Sequence, residues 1–269
     1  MKMKCVSIDL DGTLLDSNHQ ISDEDRTTIK SLKDNGIEII INTGRQHPDV
    51  IKIPGVQELE CPIFCLNGSM MYSESGELLY ETTLHTSLYK KLLATLQELK
   101  VGILVYTNQG GFPATLPQLK GKSIEEIQTM FAEQDYNRIL ELEDIKIYKM
   151  IAWVEEEHIE KIAKVKSEIM KISEIAFSSS FPNNVEITSI EAQKGKAIRR
   201  YEEIRNYTFD EIISFGDGGN DLSQFEVSTI SFAMENAPEA IKRGASHTTK
   251  SNNDSGVSYA LKHILKIVK

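Results

Sequence analysis

The chain has 269 residues, a length that suits one large domain or a core that carries a second domain. Hydrophobic residues make up 40% and charged residues 26%, which is ordinary globular usage and excludes a disordered or collagen-like chain. The 40 acidic and 30 basic residues give a net charge of -10, the wrong sign for tracking a nucleic-acid backbone, so an anionic substrate would need a lysine or a metal as its anchor.

The cysteines and the first residues of the chain predict its cellular compartment. Cys5, Cys61 and Cys65 are too few, and odd in number, for a disulfide framework, so we expect buried thiols. The start of the chain reaches the acidic Asp9 after a very short apolar run, which leaves no room for a signal-peptide core. No apolar run approaches the roughly 20 residues that span a bilayer. We therefore expect a cytoplasmic protein without a membrane segment.

Short apolar runs that end in polar or glycine-containing loops predict buried strands. A capped amphipathic helix, from Ser22 to the stop signal Asn35-Gly36, separates the first two runs and predicts a parallel βαβ unit. A second helix, Lys194 to Ile204, restores this alternation near the end of the chain. The predicted strands are Cys5 to Ile8, Ile37 to Ile41, Ile63 to Leu66, Glu211 to Phe215 and Ile230 to Met234.

The middle of the chain has a different pattern, which predicts an α/β domain inserted into the first one. Leucines on one helical face begin it, and two strands and further helices follow. The predicted elements are a helix through Leu88 to Leu99, strands Gly102 to Tyr106 and Ile147 to Val154, an irregular stretch Gly110 to Pro117, and helices Ile124 to Ala132 and Glu157 to Ile172. We assign residues 1–81 and 182–269 to a Rossmann-like core with a parallel sheet, and residues 82–181 to the inserted domain.

Two acidic loops carry the strongest chemical signal. Asp9 and Asp11 follow the first strand, and Asp217 and Asp221 follow the fourth. The carboxyl ends of parallel strands are where such sheets bind ligands. Carboxylates that lose water there repel each other unless a cation joins them, and Mg2+ takes hard oxygen ligands. The pair of loops therefore predicts a shared Mg2+ site.

Other interpretations of the acidic loops are weaker. Asp-Gly is a common turn, and each loop taken alone favours that structural interpretation. An EF-hand is excluded, because the twelfth position counted from Asp9 is Gln20 and from Asp217 is Ser228, where a glutamate is needed. A metal-dependent glycosyltransferase could use the first loop, but no nucleotide-binding signature accompanies it.

Two further segments suit a phosphate group. Thr43-Gly44-Arg45 follows the second strand, where a hydroxyl and backbone amides can hold phosphate oxygens, although a simple turn explains it equally well. Lys194 opens a helix, where a positive charge adds to the anion preference of the helix start, although a lysine by itself is more often only solvated.

In this order, the four segments resemble the motifs of the haloacid dehalogenase superfamily, and within it the Cof-type phosphatases, whose large α/β cap is inserted between the second and third motifs. The resemblance covers nearly the whole chain. Asn67-Gly68 and Glu235-Asn236-Ala237 resemble secondary features of the same group. One departure lies after Asn220-Asp221, where the family often has an apolar residue and then Met, whereas this chain has Leu222-Ser223-Gln224-Phe225. We expect this change to alter helix packing rather than chemistry.

The resemblance implies a role for each matching residue. Asp9 would be the nucleophile that forms an aspartyl-phosphate, and Asp11 the general acid and base. Lys194 would offset negative charge on Asp9 and the phosphoryl group. The phosphate ligands would be Leu10, Thr43, Gly44, Arg45, Lys194 and Asn220. The Mg2+ ligands would be Asp9, Asp217 and Asp11 through its carbonyl, with Asp221 either in the metal's water shell or orienting Lys194.

The function that the resemblance implies is hydrolysis of a small phosphorylated metabolite, such as a sugar phosphate or a flavin-type phosphate, with Mg2+. A phosphomutase on the same scaffold is the nearest alternative, and a sensor that binds phosphorylated ligands without turnover is the non-enzymatic one. Neither nucleic acid nor a membrane is an expected partner. The residues that choose the substrate are expected in the inserted domain.

Overall fold

The computed structural model describes residues 3–113, 123, 125–126, 129 and 134–268. It divides into two compact units. The core unit comprises Met1–Glu81 and Ala192–Lys269, and the inserted unit comprises Thr82–Glu191. Within the described residues, no helix combines the length and the apolar character needed to cross a bilayer.

The described residues form strands and helices in the following order. The strands are β1 Lys4–Ile8, β2 Glu38–Asn42, β3 Ile63–Cys65, β4 Met70–Tyr72, β5 Leu78–Glu81, β6 Gly102–Thr107, β7 Gly110–Phe112, β8 Ile147–Trp153, β9 Ile175–Ser178, β10 Asn184–Ser189, β11 Glu211–Gly216, β12 Ile230–Ala233 and β13 His247–Thr248. The α-helices are α1 Asp23–Asp34, α2 His47–Val50, α3 Thr86–Glu98, α4 Glu160–Ile169, α5 Lys194–Arg205, α6 Leu222–Val227, α7 Glu239–Lys242 and α8 Gly256–Tyr259.

The core unit is built on one eight-stranded sheet with the order β13-β12-β11-β1-β2-β3-β4-β5. The strands from β13 to β3 are parallel, and β4 and β5 add an antiparallel hairpin at one edge. The predicted α/β fold is confirmed. Because β11, β1 and β2 are neighbours and parallel, the loops that follow them leave the sheet at the same edge.

Helices cover both faces of this sheet. On β2, Ile39 and Ile41 pack in the same cluster as α1 and α8, whereas Ile40 points to the opposite face and packs with α5. This alternation follows from the two-residue period of a strand, and it explains why β1 and β2 are apolar on both sides. The three cysteines are buried free thiols.

The inserted unit has its own five-stranded antiparallel sheet, with the order β7-β6-β8-β10-β9, and its own apolar core between that sheet and helices α3 and α4. The sequence placed the second boundary at residue 181, and the structure places it at residue 191. The reason is β10, which pairs with β8 and β9 and so belongs to the inserted sheet.

Two segments of the inserted unit do not match the predicted elements or lie outside the described residues. The stretch that begins at Gly110 was predicted to be irregular, but Gly110–Phe112 forms β7 against β6. Pro113 follows as a bend, and residues 114–117 lie outside the described residues, as does most of the predicted helix Ile124 to Ala132.

Candidate active site

Asp9 and Lys194 form a buried ion pair at the carboxyl edge of the core sheet. Asp9 directly follows β1, and its backbone amide still donates to Phe215 of the neighbouring strand at 3.1 Å. Lys194 is the first residue of α5, and its ammonium donates to Asp9 Oδ1 at 2.6 Å and to Asp221 Oδ1 at 2.7 Å. Burial alone would lower the pKa of Lys194, but the charges of Asp221 and Asp9 raise it well above its ordinary value. Lys194 is therefore a permanent cation at this site.

Asp221 is held by hydrogen bonds on both carboxylate oxygens. Its Oδ2 accepts from the backbone amides of Asp217 and Gly218, each at 2.9 Å. Its Oδ1 accepts from Lys194 and, at 2.7 Å, from Gln224 Nε2. With both oxygens engaged, Asp221 is suited to fixing the loop and Lys194 rather than to binding a metal directly.

The carboxylates of Asp9, Asp217 and Asp221 form a cluster in which one oxygen from each residue lies within 4.8 Å of the other two. Burial is the largest influence on the pKa of Asp9 and raises it well above its usual value, opposed by Lys194 and reinforced by Asp221 and Asp217. Burial and the charge of Asp221 likewise raise the pKa of Asp217 to about 7, against the opposing effect of Lys194.

The charge of this cluster and the free oxygens of Asp9 and Asp217 fit a divalent cation. When all three carboxylates are ionised, the ammonium of Lys194 balances only one of their charges. Asp217 makes only a long hydrogen bond, 3.4 Å from Thr13 Oγ1, to a described side chain. Hard oxygen donors with uncompensated negative charge are what Mg2+ prefers.

The carboxylate of Asp11 is not a member of this cluster, and its side chain is 42% exposed. Arg45 donates to it with two nitrogens, Nε at 2.6 Å to Oδ2 and Nη2 to Oδ1. His19 Nδ1 lies 3.9 Å from Asp11 Oδ1. The structure thus brings two predicted residues together in a bidentate pair, in which Arg45 orients Asp11.

The remaining predicted residues lie in the loops at the same edge. Thr43 is 1% exposed, its amide donates to Phe64 at 2.8 Å, and its hydroxyl accepts from the Arg45 amide at 3.2 Å. Gly44 lies between Thr43 and Arg45 in the chain. Leu10 is buried, and its carbonyl accepts from the amide of Leu15 at 2.9 Å, which closes the turn after Asp9.

Asn220 contacts a side chain from another loop. Its Nδ2 donates to Asn67 Oδ1 at 3.0 Å, and Asn67 is 4% exposed with a left-handed backbone, φ 59° and ψ 30°. Asparagine tolerates that conformation better than most residues. The contact joins the loop after β3 to the loop after β11.

Glycines allow the acidic loops to approach so closely. A Cβ on Gly12, which has φ +73°, would lie 2.2 Å from Asp217 Oδ2, and one on Gly216 would lie 2.2 Å from Asp221 Cγ. A larger residue at either position would therefore collide with a carboxylate.

Sequence reasoning missed a buried polar group behind these loops, formed by Ser7, Asn42 and Gln224, each with no exposed surface. Ser7 and Asn42 are polar residues next to the apolar runs of β1 and β2, and this was the available signal.

Comparison with known proteins gives a consistent family. A sequence model of the haloacid dehalogenase-like hydrolases matches residues 6–261. Among curated relatives, "5-amino-6-(5-phospho-D-ribitylamino)uracil phosphatase YwtE" of Bacillus subtilis is 30% identical over 98% of this chain and 98% of its own length. "Phosphatase YwpJ" of the same organism is 28% identical over 98% of this chain and all of its own.

Solved structures agree. A haloacid dehalogenase-like hydrolase from B. subtilis superposes with a TM-score of 0.83 at 26% identity, over 97% of this chain and all of that one. The subclass IIB sugar phosphatase BT4131 shares the fold, with a TM-score of 0.75 at 21% identity over 98% of this chain and all of that one. Since the family match spans most of the sequence, the chain belongs to the haloacid dehalogenase-like hydrolases and is a hydrolase of phosphoric monoesters.

Proposed function

We propose that this protein is a Mg2+-dependent phosphatase that removes phosphate from a small phosphorylated metabolite through an aspartyl-phosphate on Asp9. The observation that carries the proposal is the buried Asp9 carboxylate, hydrogen-bonded to Lys194 at 2.6 Å beside the carboxylates of Asp217 and Asp221. A carboxylate is a competent nucleophile towards phosphorus when its own charge and that of the phosphoryl oxygens are offset.

In this proposal Asp9 attacks phosphorus, the bond to the leaving oxygen breaks, and Asp11 gives a proton to the departing alcohol. Asp11 then takes a proton from the water that hydrolyses the aspartyl-phosphate, which returns Asp9 and releases inorganic phosphate. The partly exposed position of Asp11 suits this exchange with water, and its two hydrogen bonds to Arg45 fix its direction.

Lys194, Thr43, Asn220 and the backbone of Leu10 and Gly44 would hold the phosphoryl oxygens, with Arg45 beside them. Mg2+ would be held by Asp9, Asp217 and the Asp11 carbonyl, and it would supply positive charge to the phosphoryl group. The hydrogen-bonded oxygens of Asp221 support its other predicted role, orientation of Lys194.

The substrate class that we propose is a phosphorylated sugar or a flavin-type phosphate. The relative named for 5-amino-6-(5-phospho-D-ribitylamino)uracil supports including that compound, which joins a phosphorylated ribityl chain to a heterocycle.

The test measures phosphate release from sugar phosphates, nucleotides, flavin mononucleotide and that ribitylaminouracil phosphate, with Mg2+ and with a chelator. We expect Mg2+-dependent release by the wild type and a loss of about a thousandfold or more in Asp9→Asn. Asp34→Asn, at an exposed position, is the matched control and should keep full activity. Turnover retained by Asp9→Asn would remove Asp9 as the nucleophile, and isomerisation without phosphate release would favour a phosphomutase.

A further inference from the structure

Gln224 is a buried amide that contacts residues of three strands, β1, β2 and β11, near the carboxyl edge of the core sheet. Its Nε2 donates to Asp221 Oδ1 at 2.7 Å and to the carbonyl of Phe215 at 3.1 Å. Its Oε1 accepts from Ser7 Oγ at 2.8 Å and lies 3.5 Å from Asn42 Nδ2. Gln224, Ser7 and Asn42 have no exposed surface.

The chemistry of the partners sets the direction of this amide. The carbonyl of Phe215 and the carboxylate of Asp221 only accept hydrogen bonds, so the nitrogen of Gln224 must face them. Its oxygen then faces the hydroxyl of Ser7, which donates. Because all of these groups are buried, a lost partner is costly to replace, and the amide is held in one orientation.

The three strands in contact with Gln224 are those that carry the reacting groups. Ser7 lies on β1, two residues before the proposed nucleophile. Asn42 ends β2 directly before the proposed phosphate-binding threonine, and its Nδ2 also donates to the carbonyl of Lys194 at 3.1 Å. Phe215 lies on β11, two residues before the proposed metal-binding carboxylate.

Asp221 is the link between the amide of Gln224 and the ammonium of Lys194. Asp217 and Gly218 hold one of its oxygens, and the other is shared by Gln224 and Lys194. Gln224 therefore fixes the oxygen towards which the ammonium of Lys194 points. Without the amide, that oxygen would keep only the ammonium of Lys194 of the two hydrogen-bond partners that the structure shows for it, so the angle at which the ammonium meets it would be less restrained.

We propose, on the basis of the proposed function, that Gln224 is a positioning residue that holds Lys194 between Asp221 and Asp9 for phosphoryl transfer. This assigns a role in the reaction to a residue that was expected to affect only helix packing.

The first test compares Gln224→Met, which keeps the length of the side chain without its amide, with Ser7→Ala, which removes the hydroxyl that holds the amide oxygen. The control is Ser214→Ala. Ser214 is the β11 partner of Ser7 in the sheet and is equally buried, but its hydroxyl accepts from Ser228 at 2.8 Å. The readouts are kcat and KM for p-nitrophenyl phosphate and the thermal midpoint of unfolding.

For Gln224→Met we expect kcat to fall about tenfold or more while KM changes by less than about twofold, as for other residues that support a reacting group. Ser7→Ala should show a smaller loss of kcat, and the Ser7→Ala, Gln224→Met double variant should lose no more than Gln224→Met alone. Ser214→Ala should keep kcat. Equal losses for Ser214→Ala and Ser7→Ala, or an unchanged kcat in Gln224→Met, would overturn the proposal.

A second measurement does not depend on turnover. In protein labelled with 15N-lysine, the ammonium of Lys194 should give a slowly exchanging NMR signal, because it is buried and hydrogen-bonded, and Lys194→Met should remove that signal and so assign it. We expect exchange to be several-fold faster in Gln224→Met and unchanged in Ser214→Ala.

The two measurements separate the proposals. A wild type that releases no phosphate contradicts the proposed function, and the NMR exchange rates then still decide whether Gln224 positions Lys194. Unchanged exchange in Gln224→Met contradicts the positioning role even in an active phosphatase. Should Gln224→Met fail to fold, Ser7→Ala alone carries both comparisons.

Discussion

Asp9, Asp11 and Asp25 have the same type of side chain but different surroundings. Asp9 is buried beside other carboxylates, and its pKa is raised mainly by burial. Asp11 is partly exposed and paired with Arg45. Asp25 is buried away from the site, where hydroxyl and amide donors of Ser258 and the hydroxyl of Ser22 satisfy it. Surroundings, and not residue type, therefore distinguish the proposed nucleophile, the proposed acid and a structural carboxyl group.

The approach of Gly12 to Asp217 gives a prediction at this scale. A Cβ at Gly12 would meet Asp217 Oδ2 at 2.2 Å, so Gly12→Ala must displace the proposed metal ligand. We expect the Mg2+ concentration for half-maximal phosphate release to rise about tenfold or more. Gly36→Ala is the matched control, because Gly36 has φ +74° and nothing within 4 Å of a Cβ. It should lose about 1–2 kcal/mol of stability from backbone strain and keep its Mg2+ dependence. Equal Mg2+ responses in both variants would contradict the displacement.

The buried Asp25 gives a pH prediction. Burial raises its pKa above the ordinary 3.8, against the hydrogen bonds that lower it. The folded state therefore holds this proton more tightly than the unfolded state, so ionisation of Asp25 lowers stability as pH rises from 3.8 through the folded-state pKa. In Asp25→Asn this loss is absent. We expect the free energy of unfolding of the variant, measured with urea and expressed relative to wild type, to increase as pH rises through that window and then to stay constant. An opposite slope would show that the hydrogen bonds outweigh burial.

At the scale of elements, helix starts and close helix contacts place the site. Lys194 reaches Asp9 because α5 begins at that residue, and α5 lies tightly against the start of α6: a Cβ on Gly195 would be 2.0 Å from the carbonyl of Ser223. Only glycine permits this approach. The close contact brings Lys194 and Asp221 together.

The start of α1 provides an element-scale prediction. Ser22 accepts from the amide of Asp25 at 3.0 Å and donates to its carboxylate at 2.8 Å, as an N-cap residue does. We expect Ser22→Ala to cost about 1–2 kcal/mol in the free energy of unfolding. Ser31→Ala, within the same helix, should be neutral or slightly stabilising, because alanine favours helices. A Ser22→Ala variant as stable as Ser31→Ala would show that the cap contributes nothing.

At the scale of the whole molecule, each unit has its own apolar core. In the core unit the cluster around β1 and α1 includes Leu32, and in the inserted unit the cluster around β6, β8 and α3 includes Leu92. Both leucines have no exposed surface. A contiguous segment with its own sheet and core is expected to open as a unit.

This organisation predicts separate responses to core mutations. Leu92→Ala should cost about 2–5 kcal/mol in the inserted unit and speed the hydrogen exchange of amides in β6 and β8. Leu32→Ala should cost a similar amount but act on β1 and β2. Hydrogen exchange followed by mass spectrometry distinguishes the two patterns. Uniform acceleration across both units would show that they unfold as one.

The sequence by itself predicted the alternation of strands and helices, the parallel core and the four motifs. It could do so because these features are local: a buried parallel strand is apolar throughout, and a helix start has a cap. It placed Asp9 and Asp217 near one another because the carboxyl ends of parallel strands share an edge, and the family resemblance added Lys194 to them. The end of the inserted unit was not predictable in this way, since the pairing of β10 with β8 and β9 joins residues distant in sequence.

Only the tertiary structure decided which partners the polar side chains have. From the sequence, Gln224 is expected only to alter helix packing. In the fold, its amide hydrogen-bonds to Asp221 and to residues of neighbouring strands. The sequence does not distinguish Asp221 from the other carboxylates, whereas the fold gives it four hydrogen bonds, one of them from Lys194. Hydrogen bonds depend on distances and directions across the fold, which the order of residues along a chain does not contain.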